Sequence, residues 1–260
     1  MRKEYGMERI QKSIAITDEN RHLAGFTGSD YEYLVIPPEV LAEGEFRRVD
    51  AIGEYAFAEC KNLQTVVLLE GIKRIDDSAF QDCVSLTSVT LPNGLECLGN
   101  SVFYRCSKLP VIAIPEGITI LPPGTFYGCV ALADAVLPES LRNIGPCAFG
   151  HCSSLTRISI PADVTDIGGR AFEECTSLED VVLPEGLLRL GDEAFAKCTN
   201  LSRITLPASL QWIGEKVFAG CSATLKEIRY GGTLEQWSRL RPMKGIPKRT
   251  RIVCSDGAVK

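Results

Sequence analysis

A phenylalanine and a cysteine recur in this chain at a fixed interval of 23 residues. The cysteine lies three positions after the phenylalanine, and a leucine usually follows three positions later. The phenylalanines are Phe57, Phe80, Phe103, Phe126, Phe149, Phe172, Phe195 and Phe218. The cysteines are Cys60, Cys83, Cys106, Cys129, Cys152, Cys175, Cys198 and Cys221. A constant period of this length is typical of a solenoid of stacked coils, in which packing fixes most residues of the repeat.

Each repeat contains two short apolar patterns separated by turn residues. After the leucine, apolar residues lie two apart, as at Val181 and Leu183, which predicts a strand with one buried face. Pro184 then ends the strand because proline has no N–H for a ladder, and Gly191 permits a tight corner. The A-F-x-x-C segment is interpreted as a single helical turn. The predicted fold is a repeat solenoid of parallel β-strands with short helical turns, capped at both ends.

The pattern L-x-x-[IV]-x-[LI]-P with A-F-x-x-C resembles the BspA-like leucine-rich repeats of bacterial, often surface-exposed, proteins. The segments 26–40 and 49–57 are similar to the N-terminal module of that family, and YGGTLEQW at 230–237 is similar to its closing element. The resemblance covers residues 14–256. It implies adhesion or host contact for surface relatives, but no binding residue can be carried over to this chain.

The ends of the chain depart from the repeat and are predicted to be caps. Residues 1–48 form an N-terminal cap and opening module, residues 49–230 a solenoid of about eight coils, and residues 231–260 a C-terminal cap. The N-terminal cap is expected to contain a strand from Arg9 to Thr17 and a turn at 18–20. Thr233 and Gln236 form a capping-box pattern, which predicts a helix at 234–240, and a last strand is expected at 249–253. One extra residue before Leu225 is expected to be absorbed at 222–224, so that Ile228 and Tyr230 remain buried.

Composition limits the classes of partner. The net charge is −5, with 28 basic and 33 acidic side chains, so a nucleic-acid partner is not favoured. No apolar segment has the length of a membrane span. The N-terminus lacks the apolar region of a signal peptide, which is compatible with a cytoplasmic location, whereas the family resemblance implies the cell surface or secretion. We expect a monomer that binds another macromolecule, taken to be a protein.

The eight regularly spaced cysteines are interpreted as buried, reduced thiols. They share one position in the repeat, so they should align along the stack as small apolar side chains with parallel Cβ vectors. Cys97, Cys147 and Cys254 lie outside this ladder. Buried free thiols favour a reducing compartment without establishing it.

The sequence contains no recognisable catalytic arrangement. Only His22 and His151 are present, and there is no H-E-x-x-H, P-loop or G-x-G-x-x-G motif. The combination of Cys147, His151 and Cys152 has metal-ligand chemistry, but Cys152 belongs to the packing ladder and a fourth ligand is not evident. We therefore expect no enzyme activity, no cofactor and no metal.

One candidate interaction surface is a charged strip on the predicted concave sheet face. Asp134, Arg157, Asp180 and Arg203 share one phase of the repeat, so they should project from adjacent parallel strands. The favoured interpretation is a surface ion-pair ladder, and the alternative is a polar recognition strip. A neighbouring column from Val67 to Thr205 is predicted to be exposed, without aromatic or charged residues.

A second candidate surface contains tyrosines. Tyr104 and Tyr127 each follow a ladder phenylalanine and should be stacked neighbours, and Ile120 and Val130 lie in the same irregular repeat. An exposed apolar cluster with tyrosines is a candidate contact patch. The alternative is that the tyrosines shield a corner distorted by Pro122. Trp212 is expected to pack on the C-terminal cap.

Two functions are compatible with these observations. The first is a non-enzymatic leucine-rich-repeat module of a bacterium that mediates protein–protein or adhesive contact. The second is an intracellular structural or regulatory scaffold.

Overall fold

Two columns of short parallel strands and one column of turns run along the chain in the computed structural model. The structure describes residues 14–17, 22–26, 31–42, 45–221, 224–240 and 244–259. The chain forms a parallel β-solenoid of about nine turns, which confirms the predicted fold. Most coils contribute a longer strand, a shorter strand and a turn segment around the ladder phenylalanine, and the coil that contains residues 157–159 lacks the longer strand.

The longer strands form the long-strand column. Its members are β3 (Tyr33–Ile36), β7 (Thr65–Leu68), β9 (Ser88–Thr90), β11 (Val111–Ala113), β13 (Asp134–Val136), β16 (Asp180–Val182), β18 (Arg203–Leu206), β20 (Glu227–Tyr230) and β21 (Arg251–Cys254). Pairing within this column is parallel but interrupted between β9 and β11 and between β13 and β16. Residues 157–159 form no strand, so the prediction that Arg157 projects from a strand is wrong.

The shorter strands form the short-strand column on a second face. Its members are β6 (Ala51–Ile52), β8 (Arg74–Ile75), β10 (Cys97–Leu98), β12 (Ile120–Leu121), β14 (Asn143–Ile144), β15 (Asp166–Ile167), β17 (Arg189–Leu190) and β19 (Trp212–Ile213). The second residue of each strand is buried, and pairing is interrupted only between β10 and β12.

The described parts of both ends carry additional strands. β1 (Ile14–Thr17) pairs antiparallel with β2 (His22–Phe26), which pairs parallel with β6, and β4 (Glu39–Ala42) forms a hairpin with β5 (Glu45–Arg48). The first residues of the strand predicted from Arg9, and the turn predicted at 18–20, lie outside the described residues. The turn predicted at 222–224 is likewise mostly outside them, but Ile228 and Tyr230 are buried as expected.

The C-terminal cap contains the predicted helix. Helix α1 (Leu234–Arg239) begins with a complete capping box between Thr233 and Gln236. Trp237 is buried and lies 5.4 Å from the Tyr230 ring, as centroids. The last parallel strand is β21, slightly later than predicted, and the sequence interpretation missed β22 (Gly257–Val259), which covers β21 as an antiparallel hairpin.

The ladder phenylalanines form the centre of the core. All eight rings are at most 1% exposed and stack on one another, with centroid separations from 5.1 to 6.3 Å. Each of the six rings from Phe80 to Phe195 is therefore covered by the equivalent rings of the coils before and after it, and no single coil buries its own ring.

Phe149→Ala is expected to destabilise the protein by about 3–5 kcal/mol, because it removes buried apolar surface and leaves a cavity between two neighbouring rings. Urea unfolding of Ser159→Ala, at an exposed position outside the core, provides the control and should change the free energy of unfolding by less than about 0.5 kcal/mol. An equally small change for Phe149→Ala would contradict the stacked core.

The ladder cysteines are hydrogen-bond donors as well as small core residues. Seven thiols donate to the carbonyl oxygen of the phenylalanine 26 residues earlier, at 3.1–3.2 Å between sulfur and oxygen. Alanine would fill part of this space but would lack the donor. The interpretation of these residues as purely apolar filler was therefore incomplete. All eleven cysteines are free, as predicted for the ladder, although Cys60 in the first coil is only half-buried.

Burial raises the pKa of the ladder thiols. The pKa of Cys129 rises to about 12 and that of Cys221 to about 11, from an ordinary value of 9.0. The same effect raises the pKa of Cys106, Cys152 and Cys198. The folded protein therefore holds these protons at a pH at which unfolded cysteines release them.

The free energy of unfolding should fall as the pH rises above about 9, because only the unfolded state loses these thiol protons. Below that pH the stabilisation by the protonated thiols is complete. Above it, each buried thiol lowers the free energy of unfolding by up to about 1.4 kcal/mol per pH unit, until the pH reaches the pKa of that thiol in the folded state. Urea unfolding from neutral to alkaline pH measures how steeply the free energy of unfolding falls with pH. Cys152→Ala should make this fall less steep by the contribution of one thiol. A pH-independent stability would contradict the buried ladder.

The turn segments are not helical, contrary to the prediction. They consist of consecutive turns in which an N–H donates to the carbonyl three residues earlier, as from Cys152 to Phe149 at 3.1 Å. The residues two before and two after each ladder phenylalanine have positive φ, from 53° to 83°. These residues of positive φ turn every second N–H of the segment towards the next coil, so that the Phe149 N–H donates to the Ala171 carbonyl at 2.8 Å. We call this row of turns the turn column.

Candidate interaction sites

The charged strip on the long-strand column is an internally paired ladder. Arg157 lies 3.5 Å from Asp134 and Arg203 lies 3.1 Å from Asp180, measured between guanidinium nitrogen and carboxylate oxygen. Hydrogen bonding from Arg203 lowers the pKa of Asp180. Strand register extends the strip to Glu227 and then to Arg251. The sequence analysis missed these two residues because the extra residue before β20 shifts the repeat.

Next to the charged strip lies the predicted uncharged column. Val136 and Val182 are 60% and 67% exposed, whereas Val67 and Thr205 at its ends are half-buried. Its residues are small, so this surface offers neither an aromatic side chain nor a cavity to a partner.

Arg203→Ala is expected to change the free energy of unfolding by about 1 kcal/mol or less, because exposed ion pairs contribute little. Arg157→Ala should have a still smaller effect, since its pair with Asp134 is longer. Urea unfolding at low and high salt checks this prediction. A loss of more than about 2 kcal/mol would show that the strip is a structural element.

The tyrosines form a short aromatic stack on the turn column. The rings of Tyr104 and Tyr127 are nearly parallel, 7° apart, with centroids separated by 5.0 Å, as the sequence predicts. The Tyr127 ring also contacts the His151 ring at 4.8 Å. Gly150 permits this contact, since a Cβ there would lie 2.9 Å from Cδ2 of Tyr127.

A hollow of about 460 Å³ lies beside this stack. Its floor is Gly128, and the residues around it are Val84, Tyr104, Arg105, Ser107, Tyr127, Val130 and His151. We call it the tyrosine hollow. Equivalent positions in other coils have similar φ values and carry side chains, including Asp82 at 56° and Lys197 at 59°. A side chain can therefore stand at this position of the repeat, although a Cβ at 128 would lie only 3.0 Å from Cγ of Arg105. The missing side chain leaves the space.

Charged residues lie at both ends of the tyrosine hollow. Arg105 lies 3.6 Å from Asp82, and its side chain is 61% exposed. At the other end, Nδ1 of His151 lies 2.9 Å from the Glu174 carboxylate, which also accepts a hydrogen bond from Lys197 at 2.6 Å. The Lys197 hydrogen bond is the main cause of the lowered pKa of Glu174. His151 is thus held by a carboxylate, whereas Arg105 remains open to solvent.

The structure separates Ile120 from the tyrosines. Ile120 lies in β12, on the short-strand column, and lines a different groove together with Pro123, Asn143, Asp166, Arg189 and Trp212. Arg189 lies between the Asp166 carboxylate, at 3.6 Å, and the Trp212 ring, at 5.8 Å from its centroid. Trp212 therefore packs on Arg189, and its packing on the C-terminal cap stays a prediction. Of the predicted apolar cluster, only Val130 joins Tyr104 and Tyr127.

Two of the three residues with metal-ligand chemistry, His151 and Cys152, have other contacts. The Cys152 thiol donates to the Phe126 carbonyl at 3.2 Å, and His151 is paired with Glu174. Within the described ranges, no group of three or more His, Cys, Asp or Glu residues is arranged to hold a metal ion. In the same ranges, no helix has the length and apolar character needed to span a membrane.

Comparisons with known proteins identify the repeat. The sequence matches the BspA type leucine rich repeat region, in six copies, over residues 45–132 and 119–239. A leucine rich cell surface protein of Faecalibacterium prausnitzii has 20% identity and a TM-score of 0.54, with 90% of this chain and 96% of that chain covered. A leucine rich repeat protein of T. pallidum has 28% identity and a TM-score of 0.55, with 80% and 85% covered. No curated protein matches the sequence. The chain belongs to the BspA-type leucine-rich repeat family, as its repeat pattern indicated.

Proposed function

We propose that this protein is a non-enzymatic interaction module that binds a protein partner through the tyrosine hollow. Membership of a leucine-rich repeat family supports a role in protein interaction in general. We choose this site because Gly128 lacks a side chain, which opens a hollow beside two stacked tyrosines.

The composition of the tyrosine hollow favours a protein partner. Tyrosine and arginine are enriched among the residues that dominate binding energy in interfaces. Among the described residues, the hydroxyls of Tyr104 and Tyr127 have no hydrogen-bond partner, so they are available to a ligand. Tyr127 contacts the Tyr104 ring and the His151 ring, which leaves mainly its edge for contact and disfavours a sugar that stacks on its face.

The chemistry of the lining also defines the segment of the partner that fits. Val84 and Val130 provide apolar walls, which suit an aliphatic or proline side chain above Gly128. Arg105 is solvent-exposed at one end and only loosely paired with Asp82, so it can bind a carboxylate. We therefore propose an extended peptide segment with an apolar residue close to an acidic one.

Selection of random peptides displayed on phage tests this proposal. Peptides selected on the native protein should contain an apolar residue near an acidic residue and should lose at least about tenfold in affinity for Gly128→Glu. In that variant the new side chain occupies the hollow and neutralises Arg105. Glutamate already stands at the equivalent position in Glu174, where φ is 58°. A Cβ at 128 would lie 3.0 Å from Cγ of Arg105, so the exposed Arg105 side chain has to move slightly to make room for it.

Gly220→Glu provides the matched control. Gly220 is the same position of the last coil, with φ at 83°, and it does not line the tyrosine hollow. Selected peptides should bind this variant as they bind the native protein. Peptides that bind all three proteins equally would contradict the assignment of the hollow.

Adhesion outside the cell is the setting that we propose for this binding, in line with the description of the F. prausnitzii protein as a cell surface protein. Protease treatment of intact source cells checks it, because a surface protein is digested without lysis. Digestion only after lysis would support the alternative, an intracellular scaffold.

A further inference from the structure

Both strand columns lose their pairing at the same boundary between two coils. β9 is not paired with β11, and β10 is not paired with β12. The long-strand column is also interrupted between β13 and β16, but there the short strands β14 and β15 remain paired. Within the described solenoid, the boundary after β10 is the one at which the two columns are interrupted together. We call this boundary the seam.

Pro110 removes one hydrogen bond of the long-strand column at the seam. In the preceding coil the equivalent residue, Thr87, donates its N–H to the Gln64 carbonyl at 2.8 Å, and in the following coil Ala133 donates to the Pro110 carbonyl at 2.8 Å. Proline has no N–H, so the corresponding bond across the seam to Thr87 is absent.

Pro122 removes one hydrogen bond of the short-strand column at the seam. The equivalent glycines donate to the preceding coil, from Gly99 to Ile75 and from Gly145 to Leu121, both at 2.7 Å. Pro122 replaces this glycine and removes the donor that would have reached Leu98. One repeat thus carries both prolines and loses a hydrogen bond on each face.

Packing is also looser at the seam. Val89 and Leu91, the inward residues of the coil before it, are only partly buried. The equivalent residues Val181 and Leu183 are each 2% exposed. The observation is independent of hydrogen bonding, and it is confined to the coil before the seam, since Ile112 and Ile114 in the next coil are 3% and 4% exposed.

The turn column remains continuous across the seam. The N–H groups of Phe80 and Asp82 donate to the carbonyls of Val102 and Tyr104, at 3.0 and 2.8 Å. The Cys106 thiol donates to the Phe80 carbonyl at 3.2 Å, and the Phe80 and Phe103 rings stay stacked at 5.7 Å. The two halves are therefore joined along one edge and loosened along the two strand faces.

We propose that the seam is a joint at which the two halves of the solenoid bend, with the turn column as its hinge, and that a ligand in the tyrosine hollow restrains the bending. The second part rests on the function proposed for the hollow. Val84, Tyr104 and Tyr127 come from three successive turns, so a change in tilt between these turns changes the width of the hollow. A ligand that fits the unbent geometry favours that geometry, by as much as its affinity differs between the two states.

Pulsed electron paramagnetic resonance between genetically encoded spin labels tests the joint. Labels at exposed positions Asn93 and Ala162 lie three coils apart across the seam, and labels at Glu139 and Ala208 lie three coils apart without crossing it. The distance distribution of the first pair should be about twice as wide as that of the second. Combining Pro110→Thr with Pro122→Gly restores both donors and should narrow the first distribution to the width of the second. Equal widths in the native chain would overturn the joint, whatever the hollow binds.

The same labels test the restraint without any partner. Gly128→Glu fills the hollow and should narrow the Asn93–Ala162 distribution, whereas Gly220→Glu should leave it unchanged. A wide distribution that Gly128→Glu does not alter would overturn the restraint while leaving the joint in place. Peptide binding is measured separately, so failure of the proposed function is distinguishable from failure of either part of this inference.

Discussion

The stack depends on the turn column, where each coil is hydrogen-bonded to the next around a buried phenylalanine. The bonds from Tyr55, Phe57 and Glu59 to the following coil are repeated at the same positions along the chain. Non-glycine residues in the left-handed region cost free energy, and the regular bonds to the next coil hold them there. The thiol of each following ladder cysteine adds a further bond to the phenylalanine carbonyl. The strand columns are interrupted in three places, whereas this column is not interrupted at any boundary between the ladder phenylalanines.

Much of the fold was predictable because the repeat encodes burial directly. The spacing identified the stacked phenylalanines, the inward strand residues such as Val181, and the cap helix that begins after Thr233. The helical turn was a wrong prediction, because spacing alone does not distinguish one helical turn from consecutive turns with left-handed residues at Cys147 and His151. The thiol donors were missed for a similar reason, since a small core residue and a hydrogen-bond donor have the same spacing.

The candidate site was only partly predictable, because it depends on residues that depart from the repeat. The tyrosine stack followed from two adjacent copies of one position, but Ile120 was assigned to it by proximity in sequence and lies on another face. Gly128 carried a signal that was available: side chains occupy its position in most other coils. Pro110 and Pro122 are similar departures, and together they loosen the coil boundary beside the hollow. Residues that obey the repeat build the scaffold, and these few exceptions give it a local shape.

Residue-resolved amide hydrogen exchange of the turn column is the most direct test of this account. The amides of Phe80 and Asp82 bond across the seam. Those of Phe172 and Glu174 make the same bonds to the carbonyls of Ala194 and Ala196, at a boundary where the strands of both columns are paired. If the turn column carries the stack, the two sets should show the same protection within about threefold, even though the strands beside the first set are not paired across the seam. Protection of Phe80 and Asp82 that falls to the level of a loop would contradict the central role of the turn column.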